Sequence, residues 1–322
     1  MRVLLTIVAL SISLSADAQQ MGLSKYLSFD DVCNFWKAYD KVVAITDSTE
    51  QVKIIESVYL DKATPELTLL LRLSRHEARN YLAYFKAFPA FWRELRERTR
   101  FLILNYKRID DALGRLKKIY KPLDIPDVNF MVGCFEFGGK PMGNKVMVSL
   151  EVVLADGNFD MPPFRSSTEA YQQYLLDATI YFALHEIIHT HQPTYMARDL
   201  LSLSIMEGSC DFIAELVMAK PLRRPYIVLG NNYEKKIWES FKKEMDGFAY
   251  DRWLYNKGHV INGQEDLGYF MGYAICKHYY ENAKDQKKAL KKILNLNFSS
   301  NKEVYRFFVG SGYENKLMAN NN

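Results

Sequence analysis

The sequence predicts a mainly α fold with a small β-sheet, an α+β chain, on three observations. Apolar residues recur at helical spacing over most of the stretch before residue 125. Two β-rich runs, Val128 to Phe137 and Lys145 to Leu154, then flank a Gly-rich connection. Helical spacing returns after Ser167 and holds nearly to the end. With 322 residues, 48% hydrophobic and 14% aromatic, the chain can bury a substantial core, which excludes a disordered, collagen-like or low-complexity polypeptide. Lys and Arg number 42 against 38 Asp and Glu, a net charge of +4 without a block of one sign. That argues against a nucleic-acid partner.

The first eighteen residues are expected to be an address. Met1-Arg2 is a short positive start, Val3 to Leu14 is a largely apolar run, and Ala16-Asp17-Ala18 is an A-x-A cleavage site. This pattern predicts a secretory signal peptide removed after Ala18, and a periplasmic or secreted mature protein. The run is too short for a bilayer span, which needs about twenty apolar residues. No later segment is long and apolar enough either, so no transmembrane segment is expected. The oligomeric state is not legible. Cys33, Cys134, Cys210 and Cys276 allow three full pairings, match no local zinc or redox spacing, and are expected as buried free thiols.

In order, Ser28 to Asp31 reads as a capping box opening a helix through Phe35, Trp36, Tyr39 and Val43. Asp47 with Glu50 opens a second, and Pro65 begins a third, whose Leu67 to Leu73 stretch holds five leucines and is expected to be buried. Ala78 to Leu104 is helical with a break near Pro89, and Ile109 to Tyr120 is a further helix stopped by Pro122. After the two strands, helices are expected to about His191, from Arg198 to Ala219, from Tyr233 to Phe248, from Gly268 to Asn282, from Lys287 to Leu294 and from Asn301 to Phe308. The organisation expected is a signal peptide over 1–18, a helical part over 19–125 and an α+β part over 126–322, the last two packed as one body.

Three of the six histidines fall between residues 185 and 191, and two frame the H-E-x-x-H of His185-Glu186-Ile187-Ile188-His189. Four-residue spacing puts His185 and His189 on one helical face, a turn apart, where both rings reach one ion. Neutral imidazole suits zinc, and Glu186 beside that face can take the proton of a water the metal acidifies. Flanking Ala183, Leu184, Ile187 and Ile188 predict a buried helix, where unpartnered histidines would be costly. A third ligand is needed. The H-E-x-x-H-x-x-G-x-x-H pattern is excluded, because Gln192 and Tyr195 occupy its Gly and His positions. His191 points off the shared face and reads as a rim residue. Glu207, eighteen residues after His189, can supply the ligand from a facing helix, and Asp211 one turn on can hold the free N–H of a ligating histidine. Glu215, eight residues past Glu207, is a rival carboxylate without such a partner one turn on.

H-E-x-x-H followed by E-x-x-x-D resembles the gluzincin (thermolysin-like) zinc metallopeptidases. The resemblance implies a zincin-like core with additional N-terminal helices. His185, His189 and Glu207 would be Zn2+ ligands, Glu186 the general base and Asp211 the partner of a ligand imidazole. Glu207 to Glu215, Trp253-Leu-Tyr-Asn256 and Asp266 to Tyr273 are further similar to predicted zinc-dependent proteases of unknown function, whose relatives include the gliding-motility lipoprotein B type of Bacteroidetes. Two departures stand out: Cys210 replaces a usual small residue, and no lipoprotein cysteine is present. By the same resemblance Lys145 to Leu154 is a candidate strand for pairing with an extended peptide, and Tyr269 or Tyr273 a candidate oxyanion donor. The function expected is an exported zinc metallopeptidase acting on peptide or protein. The alternative is a non-catalytic, zinc-containing envelope or secretion accessory protein. A zinc hydrolase of some non-peptide amide is not separable from the first by sequence.

Overall fold

Helix boundaries in the computed structural model follow local capping chemistry. The structure describes residues 24–155, 169–192, 199–248, 250–256 and 265–319. The expected leader over 1–18 lies outside them. Strand β1 (Leu27–Ser28) precedes α1 (Asp30–Val43), α2 (Ser48–Val58), α3 (Pro65–Ser74), α4 (Ala78–Ala87), α5 (Pro89–Leu104) and α6 (Tyr106–Ile119). The Asp47 carboxylate accepts from Glu50 N at 2.8 Å to cap α2, and Thr64 caps α3 with Pro65 at its first position. The break at Phe88 separates α4 from α5, because Pro89 lacks the N–H that would continue the ladder.

Two local expectations are corrected. Ser28 does not cap α1: it ends β1, and Asp31 is buried, accepting from Thr64 N and Oγ1 and from Asn129 Nδ2. The leucine run of α3 is not buried throughout, because one helix face meets the core. Leu67 and Leu70 are buried, while Leu69 and Leu73 face solvent.

Strands β2 (Asp127–Met131), β3 (Gly139–Met142) and β4 (Lys145–Ser149) complete a four-stranded sheet in the order β1-β2-β4-β3. It is mixed: β1 and β2 are parallel with Leu27 opposite Val128, and the adjacent strands β3 and β4, joined by two residues, form a hairpin. Gly143 opens the two-residue turn with φ 59°, the left-handed value that a type II′ turn places on Gly. The connection expected between two strands therefore contains a strand of its own. The second run is also shorter than expected, since residues Leu150–Val153 form the short helix α7. Strand β4 lies between β2 and β3, so it has no free edge for pairing with a peptide.

Helices α8 (Glu169–His191), α9 (Leu200–Met218), α10 (Pro225–Phe241), α11 (Leu267–Glu281), α12 (Gln286–Leu294), α13 (Asn301–Ser311) and α14 (Tyr313–Ala319) follow. The fold is thus mainly helical with a small mixed sheet. No helix among the described residues is long and apolar enough to cross a membrane. All four cysteines are buried and free.

The chain divides into two compact units. The first takes described residues of 1–110, 127–142 and 147–179, the second those of 111–126, 143–146 and 180–322. In the first, Phe35, Trp36, Tyr59, Tyr81, Phe85 and Trp92 form an aromatic core with ring centroids 4.9–6.3 Å apart. In the second, α9 and α11 pack backbone to backbone. A Cβ added to Gly272 would stand 1.7 Å from Ser204 O, and one on Gly208 would stand 2.1 Å from Tyr273 N. Only glycine at both positions permits this approach. It seats α9 deep in the unit, buried on nearly all sides.

Candidate metal centre

Within the second unit, residues 180–191 of α8 and helix α9 bring the candidate residues together. On α8, Tyr181, His185 and His189 recur every four residues and share a face. On α9, Glu207 and Asp211 are likewise one turn apart, and Asp199 caps its start by accepting from Ser202 N at 2.7 Å. His185 Nε2 and His189 Nε2 lie 3.0 Å apart, and Glu207 Oε2 is 3.3 Å from the first and 3.0 Å from the second. His185, Glu186, Glu207 and Asp211 are buried, and His189 nearly so.

The far side of each imidazole is held as well. His185 Nδ1 faces Asp211 Oδ1 at 2.9 Å. That carboxylate accepts from Tyr181 OH at 2.6 Å and from Tyr226 OH, on Oδ2, at 2.9 Å. The Arg224 guanidinium stacks 5.1 Å above the Tyr181 ring and 5.8 Å above Tyr226. His189 Nδ1 faces Gln192 Oε1 at 2.8 Å, and the Gln192 amide nitrogen donates to Met206 O and Ser209 Oγ. The carbonyl of Met206 fixes which way that amide points, so both Nδ1 atoms carry the proton in the neutral rings. Both Nε2 lone pairs then converge on Glu207 Oε2.

This donor set attracts positive charge. Burial opposes protonation of His185, yet the Cys210 sulfur, Asp211 and Glu207 outweigh it and push its pKa up to about 10. His189 is likewise held well above its usual range against burial, by Cys210 and Glu207. Burial raises Glu207, but His189 and His185 hold its carboxyl well below the usual carboxylate range. Glu186 differs. Burial raises it, the two imidazoles only partly offset that, and it makes no hydrogen bond among the described residues.

His185, His189 and Cys210 form a buried group able to hold a metal ion, with ligand atoms all within 4.8 Å of one another. Cys210 Sγ approaches His189 on its Nδ1 edge, at 3.6 Å, and Gln192 Nε2 at 3.4 Å. Glu207 lies at the opposite, Nε2 edge.

Other expected residues sit elsewhere. Glu215 accepts from Tyr273 OH, Lys277 Nζ and Leu222 N, a closed set of partners that leaves it no part in the His185–His189 cluster. Tyr273 is thereby committed to Glu215, whereas the Tyr269 ring lies 6.2 Å from His185. His191 packs edge-on against Tyr120 at 5.4 Å. Sequence reasoning missed Tyr181, Gln192, Tyr226 and Tyr255. The first lies four residues before His185 and was open to the same spacing argument. Tyr226 and Tyr255 arrive from other elements; Tyr255 lies in the Trp253–Asn256 segment that carries the family resemblance, but no spacing ties either residue to the centre. Tyr255 OH donates to Glu207 Oε1 at 2.5 Å.

No family model, curated protein or solved structure matches this chain.

Proposed function

We propose that the chain is an exported zinc-dependent metallopeptidase of gluzincin type, with His185, His189 and Glu207 as the ligands. The observation that carries this reading is the convergence of His185 Nε2, His189 Nε2 and Glu207 Oε2 at 3.0–3.3 Å. Tetrahedral ligands at about 2.0–2.1 Å from zinc stand about 3.3 Å from one another, so the donor set fits the ion. Cys210 fits less well as the third ligand, because it lies on the His189 edge whose N–H Gln192 already accepts.

Zinc bound there would polarise a scissile carbonyl and acidify a water. The protein supplies the rest. Asp211 and Gln192 fix both imidazole tautomers and ring orientations. Glu186, buried and without a hydrogen-bond partner among the described residues, is free to accept the proton of the attacking water. It then delivers that proton to the leaving amine, so water and amide become acid and amine with Glu186 regenerated. A carboxyl raised by burial is better matched to this two-way transfer than an exposed one. Ala16-Asp17-Ala18 after an apolar run supports export of the mature chain.

The test is metal analysis of the full mature chain together with peptide-library cleavage by the wild type and Glu186→Gln. The variant is expected to keep stoichiometric zinc and to lose cleavage by about 10²–10⁴-fold, the usual worth of a general base. Undiminished cleavage by the variant removes Glu186 from catalysis. A zinc-loaded wild type that cleaves no peptide points to the accessory-protein alternative.

A further inference from the structure

Glu207 is held at both ends. Oε2 faces the two imidazoles, while Oε1 accepts the Tyr255 hydroxyl at 2.5 Å, a short charge-assisted bond. Tyr255 is distant in sequence and unusual in conformation. Its backbone is left-handed, φ 55°, which a β-carbon makes costly and which persists only where the surroundings impose it. Those surroundings are visible. Asn256 Nδ2 donates to Arg252 O at 2.9 Å, and its Oδ1 accepts from Asp266 N at 2.7 Å, tying the segment to the start of α11. Asp266 is itself left-handed at φ 61°. The Tyr255 ring stands edge-on to Tyr269 at 5.9 Å, and the residue is 61% exposed. An exposed aromatic residue in a strained backbone thus delivers its one polar atom to a buried carboxylate.

We propose that Tyr255 sets the way Glu207 binds a metal: its O–H occupies Oε1 and restricts the carboxylate to one-oxygen ligation through Oε2. A free carboxylate ligates hard and borderline cations through one oxygen or both. Engaging Oε1 raises the cost of the two-oxygen mode by a hydrogen bond and holds the coordination number down, so a substrate group can join. Tyr255 is a positioning residue in this scheme, acting through Glu207. The inference rests on the reading of Glu207 as a ligand.

Cobalt(II) substitution of the full mature chain tests it, because visible absorption by Co(II) is intense in four- or five-coordinate sites and weak in six-coordinate ones. The wild type is expected to show the intense band. Tyr255→Phe removes only a hydroxyl from an exposed ring. It is expected to bind one Co(II) with the band weakened several-fold, and, loaded with zinc, to lose kcat with little change in KM. A Tyr255→Phe band identical to wild type overturns the inference, as does a weak six-coordinate spectrum in the wild type itself, which needs no variant to fold. Glu207→Ala separates the two readings. Retained Co(II) in that variant overturns the ligand assignment and this inference together. Loss of Co(II) upholds the assignment, so that an unchanged Tyr255→Phe band then defeats the role of Tyr255 alone.

Discussion

Asp211 Oδ1 lies 2.9 Å from His185 Nδ1, and the same carboxylate is the acceptor for two tyrosine hydroxyls, those of Tyr181 and Tyr226. A fully buried carboxylate that faces these three groups directs the imidazole through one nitrogen only. Asp211→Ala is therefore expected to weaken zinc binding by about 10–100-fold, as measured by competition with a chelating dye. Tyr226→Phe, which leaves Asp211 two of its donors, is expected to have the smaller effect. Equal affinity in Asp211→Ala and wild type would remove Asp211 from the centre.

Three candidates for the third ligand separate cleanly by substitution. Glu207→Ala is expected to abolish tight zinc binding, because it deletes the oxygen shared by both Nε2 atoms. Cys210→Ala is expected to retain the ion, since Sγ lies on the Nδ1 edge of His189. Glu215→Ala is also expected to retain it and to lose stability instead, because Tyr273, Lys277 and the N–H of Leu222 lose their shared acceptor. Isothermal titration of the metal-free proteins checks all three. Loss of the metal in Cys210→Ala with retention in Glu207→Ala would transfer the ligand role to the thiol.

What the sequence made legible is what short-range geometry controls. The four-residue spacing of His185 and His189, and of Glu207 and Asp211, fixes shared helix faces whatever the tertiary fold. The Asp47 cap, the Pro65 start and the break at Pro89 are local in the same sense. Partners brought from afar were not legible. Tyr255 meets Glu207 across 48 positions and Tyr226 meets Asp211 across 15, in a chain with 21 tyrosines to choose from. Strand β3 was hidden because Gly139, Lys140 and Pro141 carry little β propensity, and only pairing with β4 makes them a strand. The exposure of Leu69 and Leu73 shows the opposite failure, a run of one residue type read as burial when periodicity decides.

Glu151 is expected to make the first unit sensitive to pH. It is fully buried, its Oε1 accepts from Gly133 N at 2.7 Å and Phe135 N at 2.9 Å, and its Oε2 has no partner among the described residues. Burial pushes its pKa from 4.5 up to about 7, against those backbone N–H groups. A carboxyl whose folded pKa exceeds its unfolded one binds protons better when folded, so this group lowers stability as pH rises from 4.5 to 7 and exerts its full cost above 7. The size is roughly 2–4 kcal/mol. Thermal unfolding is expected to show stability falling across that window, and Glu151→Gln, which keeps an Oε1 acceptor and cannot ionise, is expected to flatten it. A wild-type profile with the same slope as the variant would remove Glu151 as the cause.

The contact between α9 and α11 is the structural dependence of the whole centre. Glu207 is followed by Gly208, whose absent side chain lets the Gly272–Tyr273 backbone approach, and Gly272 in turn admits the carbonyl of Ser204. A methyl group at Gly272 would stand 1.7 Å from Ser204 O and 2.4 Å from Ser204 C. These are backbone atoms on a buried helix, so no rotamer change relieves the clash and the two helices must separate. Overpacking of this kind costs typically about 1–3 kcal/mol, and here the absence of a flexible neighbour places it at the upper end. Gly310 provides the control. It lies inside α13 with nothing within 4 Å of an added Cβ, so Gly310→Ala is expected to be neutral or to stabilise by about 0.5–1 kcal/mol through helix propensity. Because Glu207 and Asp211 ride on α9, Gly272→Ala is further expected to lower zinc affinity without touching any atom of the centre, whereas Gly310→Ala leaves it unchanged. Denaturant unfolding and metal titration on the two variants measure both effects. A Gly272→Ala protein as stable as Gly310→Ala and equally tight for zinc would mean that the close approach of α9 and α11 is not what holds Glu207 against the histidines.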